Sequence, residues 1–331
     1  MKNAMMSVAE VSQRIEDGAV LVLAGSERAL SSLPRGKWIG GTSVYFVTET
    51  GGRVDHDNLH VTEITEATDA RTVVLQGQDL ASLTANRFDD GVSMILIPAF
   101  SAAHADFAIN GASYPGLFDQ PLMGWITGVH LDDLGRVTPK VFDGVTGTMH
   151  EEGAAILHVA LAVDEQAELD ILNLFVPDEN ADRITFAETG FSATRALVNG
   201  EEVDFAAYVR RSAIDTQLPL VADYAGAMVN VSFQAVEDDH VKFYAPVVTG
   251  VVYRIAKSPG AYADVFAARV ADEGASALSC NCILNYLYGE LEGKTTGGFT
   301  GPATFGEVAY VLLNQTLVKL DIHREQACAA A

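Results

Sequence analysis

Val8, Val11 and Ile15 recur at the spacing of one helical face and Gly18 follows as a stop, so the chain opens with a short amphipathic helix. Ala19 to Ala24 (AVLVLA) is then an unbroken apolar run between Gly18 and Gly25, the pattern of a strand buried on both faces. Arg71 to Leu75 and Val92 to Ile97 read the same way, and between them QDLASLTANRFDD carries Leu80, Leu83 and Phe88 at helical spacing. Strand, helix, strand predicts an α/β layer with neighbouring parallel strands. Further on, Ile156 to Val163, Asp170 to Val176 and Ala227 to Val236 predict strands with few long helices between them, hence mixed or antiparallel sheet. Helical spacing returns at Asp204 to Arg211 and at Ala261 to Glu273, where Tyr262, Val265, Phe266 and Val270 share a face, before a strand at ALSCN.

The order of elements puts the fold class between α/β and α+β, as two related mixed β-sheet lobes with flanking helices. Lys37-Trp-Ile-Gly-Gly-Thr-Ser and Lys294-Thr-Thr-Gly-Gly-Phe-Thr each place a glycine pair three residues after a lysine, an echo that suggests pseudo-duplication. The acidic loop from Pro177 to Arg183 is the expected boundary, dividing the chain into lobes 1–180 and 181–331.

Composition narrows the partners. Among 331 residues, 21 lysines and arginines stand against 44 aspartates and glutamates, a formal charge of −23 that repels phosphate backbones and anionic lipid surfaces. Neither nucleic acid nor a membrane is an expected partner. A hydrophobic content of 49% with 20% charged residues excludes a disordered chain. Cys280, Cys282 and Cys328 are too few and too odd in number for a disulfide scaffold, which predicts a reducing, cytoplasmic location. Glu10, Arg14, Glu16 and Asp17 interrupt the start of the chain, so no signal peptide is expected there. The longest apolar runs fall short of the roughly 18 residues that a spanning helix needs.

Candidate chemistry concentrates near the carboxy terminus. Ser279-Cys280-Asn281-Cys282, with Asn285, Tyr288 and Glu290 after it, is the densest polar cluster on an apolar background. Its two cysteines fall on the same side of a strand, which is not the C-x-x-C spacing of zinc or redox sites, and no metal is expected. GGFTGPATFGEVAYVLLNQTL, from Gly297 to Leu317, combines a glycine-rich backbone with one carboxylate, Glu307, and an amide pair, Asn314-Gln315. Such a segment suits either a ligand loop or a self-capped hairpin. Earlier, Ser101 is a helix cap in front of His104 and Asp106, which lie two apart and so on different helix faces. Tyr114, Phe118 and Trp125, in a loop dense in glycine and aromatics, are candidate pocket walls or core. G-x-G-x-x-G with its acidic partner, the P-loop, G-x-S-x-G and H-E-x-x-H are all absent.

The stretch GFTGPATFGEVAYVLLNQTL, with Cys280 on a strand upstream, resembles the carboxy-terminal half of FIST domains. There a cysteine-bearing strand leads to a G-F-x-T-x-G-E segment and then an N-x-T strand. Gly298, Phe299, Thr304, Gly306, Glu307, Asn314, Gln315 and Thr316 occupy those positions, with two extra residues between Phe299 and Thr304. The glycine and arginine that commonly follow the cysteine are replaced by Asn281 and Cys282. The resemblance implies an intracellular sensor of a small polar metabolite acting through a signalling partner protein, and it leaves the cofactor unspecified. With the glycine-flanked strand ends it puts the ligand near Trp38, Gly40, Gly41, Thr42, Cys280, Asn281, Phe299, Thr304, Glu307 and Asn314. The alternative is a cysteine-dependent amide or ester hydrolase or transferase, with Cys280 as nucleophile, His104 as base and Asn281 or glycine-rich amides as the oxyanion hole.

Overall fold

A computed structural model describes residues 1–224, 227–260, 262–271 and 278–324. The opening helix, Val8–Glu16, forms as the pattern requires: Ser7 and Glu10 make a reciprocal capping box, Val11 and Ile15 are buried, and the chain leaves through Gly18 at φ +86°. It is followed by Leu21–Gly25, a strand buried at every position. The fold is mixed α/β, and the described residues form three six-stranded and three three-stranded sheets.

The large sheets share one plan. Each holds two adjacent parallel strands joined over a helix: Leu21–Gly25 with Trp38–Thr42, Gly91–Pro98 with Leu122–Thr127, and Leu278–Cys282 with Gly301–Thr304. A return strand runs antiparallel to the first member, Asn58–Glu63, Gly153–Ala160 and Thr316–Arg324 in turn. An outer strand lies beyond it, Lys2–Ser7, Asp69–Gln76 and Glu165–Asn173. On the other side each sheet takes a hairpin from a different part of the chain. Val141–Asp143 completes the first sheet, Glu307–Ala309 the second and Tyr45–Thr48 the third. Threonines end the second parallel strands where the sheets meet: Thr42, Thr127 and Thr304 are all buried.

One departure from expectation has a clear cause. Asp69–Gln76 and Gly91–Pro98 are not neighbours, because Gly153–Ala160 pairs between them, and the segment joining them is a short 3₁₀ turn, Gly77–Ser82, where a helix was expected. Across the acidic loop from Pro177 to Arg183, Glu165–Asn173 zips along its whole length to Thr316–Arg324, and Tyr45–Thr48 crosses to Gly301–Thr304. The interval 174–277 carries the three small sheets and the helices Phe205–Arg211 and Tyr262–Ala271, and its aromatic core is continuous with that of the second sheet. Residues 261 and 272–273 of the expected helix, and Cys328, lie outside the described residues. No described helix is long and apolar enough to cross a membrane.

Candidate functional site

The amino-terminal candidates are packed against other parts of the fold. Trp38 is buried with its indole N–H donating to the Pro34 carbonyl at 2.9 Å. A Cβ on Gly40 would sit 2.7 Å from Leu30, and one on Gly41 would sit 2.4 Å from Thr127. These glycines make room for side chains of the fold itself. Thr42 is occupied in turn by the backbone of Lys140.

The carboxy-terminal candidates do gather, around an acid. Glu307 is fully buried, and its Oε2 accepts from both the backbone N–H and the hydroxyl of Thr316, at 3.1 and 2.7 Å. Thr304 approaches its other oxygen at 3.5 Å. The thiol beside this carboxyl is that of Cys282, where the sequence pointed to Cys280. Asn285 donates to Asn281 at 2.8 Å and to the Thr316 carbonyl at 3.1 Å, and Tyr262 bonds Asn285. Desolvation pushes Glu307 up to about 8, so the carboxyl is mainly protonated at neutral pH, and both thiols are pushed well above their ordinary value. Cys280 is sealed in the core, its thiol directed at the Gly124 carbonyl 3.5 Å away. Phe299 and Asn281 border a hollow of only about 10 Å³, too small for a metabolite. Asn314 is held by Asn230, which donates to its carbonyl at 3.0 Å. The network is a buried polar core rather than a cleft, with Asn281 Nδ2 and Asn314 Oδ1 left without a partner.

An open cleft lies elsewhere, at the carboxyl end of Gly91–Pro98. The strand turns into the helix Ala102–Asn110 through Phe100, a non-glycine residue at φ +66°, and Ser101 caps the helix by accepting from the His104 N–H at 3.0 Å. The same turn orients the histidine. The Phe100 backbone N–H donates to His104 Nδ1 at 3.2 Å, which makes Nδ1 the acceptor and places the ring hydrogen on Nε2. That Nε2 is buried with no partner. Burial drives the imidazole down to about 4, so it is neutral and offers one N–H.

Four phenyl rings line the cleft with His104: Phe100 and Phe305 from the sheet ends, Phe191 and Phe243 from the interval 174–277. Phe191 meets His104 edge-on at 5.6 Å, and Phe305 meets Phe100 edge-on at 6.4 Å. Gln234 and Tyr244 add polar groups, and the cavity measures about 240 Å³. A strained residue, an unpaired buried donor and an aromatic wall coincide here, which is how small-molecule sites are built.

The sequence exposed the Ser101 cap and His104 but not the rest. Phe100 gave no signal, because its significance is a backbone angle. Phe191, Gln234, Phe243, Tyr244 and Phe305 are brought in by tertiary packing across long sequence separations. Of the residues read as pocket walls or core, Tyr114 bonds Asp106, Phe118 lies tilted against Tyr310, and Trp125 is in the core. Among the described residues no three His, Cys, Asp or Glu side chains come together as a metal site requires. The model of a family of unknown function, DUF6976, matches residues 6–323. No curated protein matches the chain.

Proposed function

We propose that this chain, which belongs to the DUF6976 family, is a small-molecule-binding protein whose ligand occupies the aromatic cleft with an acceptor atom on the Nε2–H of His104. One observation carries the reading: a buried N–H of fixed tautomer has no partner, on a histidine that lines a largely aromatic cavity. The walls suit a planar, largely apolar molecule with a single acceptor better than the small polar metabolite implied by the resemblance to FIST domains. A sensory role fits the same site. The two walls come from different parts of the chain, so an occupant ties the interval 174–277 to the second sheet and thereby alters what a partner protein would meet.

The hydrolase alternative finds less support, since Cys280 is 1% exposed and its thiol is held protonated by burial. Thermal-shift measurement with matched aromatic pairs tests the proposal, quinoline against naphthalene being the simplest. Quinoline should raise the melting temperature and naphthalene should do so less, because only the former accepts from His104. A ligand at 100 times its dissociation constant adds about 2.7 kcal/mol to stability. In His104→Phe the preference should vanish. An aromatic panel without any shift, or a preference that survives His104→Phe, would sink the idea.

A further inference from the structure

A second hollow, of about 260 Å³, lies along the seam between the first and third sheets. Asn3, Met5 and His60 wall it on one side, and Thr48, Thr50 and Arg53 of the exchanged hairpin wall it on the other. His60 is 2% exposed, and its Nε2 is buried without a partner. Arg53 Nε is buried and unpaired as well. The guanidinium is anchored by Nη2, which donates to Asp55 at 2.8 Å, so its orientation is set while Nε–H is left over. The threonine hydroxyls are engaged with each other at 3.1 Å, and Thr48 donates to the Gly51 carbonyl at 2.8 Å.

A guanidinium has donors and no acceptor, so whatever fills the hollow must bring an acceptor to Arg53. Charge-assisted bonds from arginine favour carboxylate over neutral carbonyl. Glu49, exposed at the rim, opposes a second negative charge on the occupant. We infer that this seam binds a small organic monocarboxylate, with its oxygens on Arg53 Nε–H and the His60 ring nitrogen. Burial pushes His60 down to about 4, so the ring is neutral and contributes a hydrogen bond without charge. The volume lies just below the roughly 300–1,000 Å³ of drug-sized ligand sites, which limits the acid to a few carbons.

Titration calorimetry with acetate and lactate, at constant ionic strength, decides the matter against acetamide and malonate. Both monocarboxylates should bind. Acetamide, the uncharged isostere, and malonate, with its second charge, should each bind at least about tenfold more weakly, a step worth about 1.4 kcal/mol. Arg53→Gln should weaken lactate by a similar factor. His104→Phe should leave lactate binding unchanged, which separates this site from the aromatic cleft. Should Arg53→Gln disturb the seam, the His60 ring resonances of the unaltered protein give a second readout, moving with lactate and not with acetamide. Equal responses to acetate and acetamide, or lactate affinity unaltered in a folded Arg53→Gln protein, would overturn the inference.

Discussion

Replacing Glu307 by glutamine should flatten the dependence of stability on pH across the neutral range. In the folded protein the carboxyl holds its proton up to about 8, against an ordinary value of 4.5. Between those limits the folded state binds one proton more than the unfolded chain, so stability falls as pH rises, by about 1.4 kcal/mol per unit. Over the full window of about 3.5 units the ceiling is about 5 kcal/mol. The stabilising contribution is complete below pH 4.5 and is lost as pH climbs through about 8. His60, His104 and His158, each driven to about 4 from 6.5 by burial, act in the opposite sense. Their stability is present above 6.5 and is lost as pH falls through 4, so the raw profile of the protein mixes both.

The difference between Glu307→Gln and the unaltered protein isolates the acid. Glutamine keeps an acceptor for the two Thr316 donors and removes only the titration. Any misfit of the amide beside Cys282 shifts the whole curve and leaves its slope alone. Urea unfolding at stepped pH, followed through the buried Trp38 and Trp125, gives both curves. The variant should gain on the unaltered protein steadily from pH 4.5 to about 8. Parallel curves across that interval would show that Glu307 ionises normally, and the account of its burial would be wrong.

Thr316→Val removes the 2.7 Å hydroxyl bond to buried Glu307 and should cost about 1–3 kcal/mol in urea unfolding. Gly124→Ala would put a Cβ 1.7 Å from the Ile95 carbonyl oxygen, so the parallel strands must separate; a loss above about 4 kcal/mol, or no folded protein, is expected. Iodoacetamide should leave Cys280 and Cys282 unmodified in the native protein and label both in urea, as peptide mapping will show, because both thiols are buried and held protonated.

Local chemistry was the legible part of this protein. The capped opening helix, the continuous apolar strands and the Ser101 cap each depend on neighbours within a few residues, and the structure has them where the pattern put them. The strand expected over Ala227 to Val236 is nearly right, broken at Ser232 into Ala227–Val231 and Phe233–Val236. Glu307 was also legible as a singular acid in an apolar segment, although the thiol beside it is Cys282. Two cysteines on one side of a strand look alike in sequence, and only the facing strand separates them, giving one a carboxyl and the other the Gly124 carbonyl.

The sequence by itself determined a mixed α/β protein of strongly acidic charge, because periodicity and composition are properties of the chain alone. Which strands share a sheet was decided in three dimensions. Apolar runs buried on both faces carry no record of their partners, and hairpins exchanged among three sheets pair residues hundreds of positions apart. The cleft was decided there too. Its donor is a histidine nitrogen freed by a backbone angle at Phe100, and its walls meet only once the interval 174–277 folds against the second sheet.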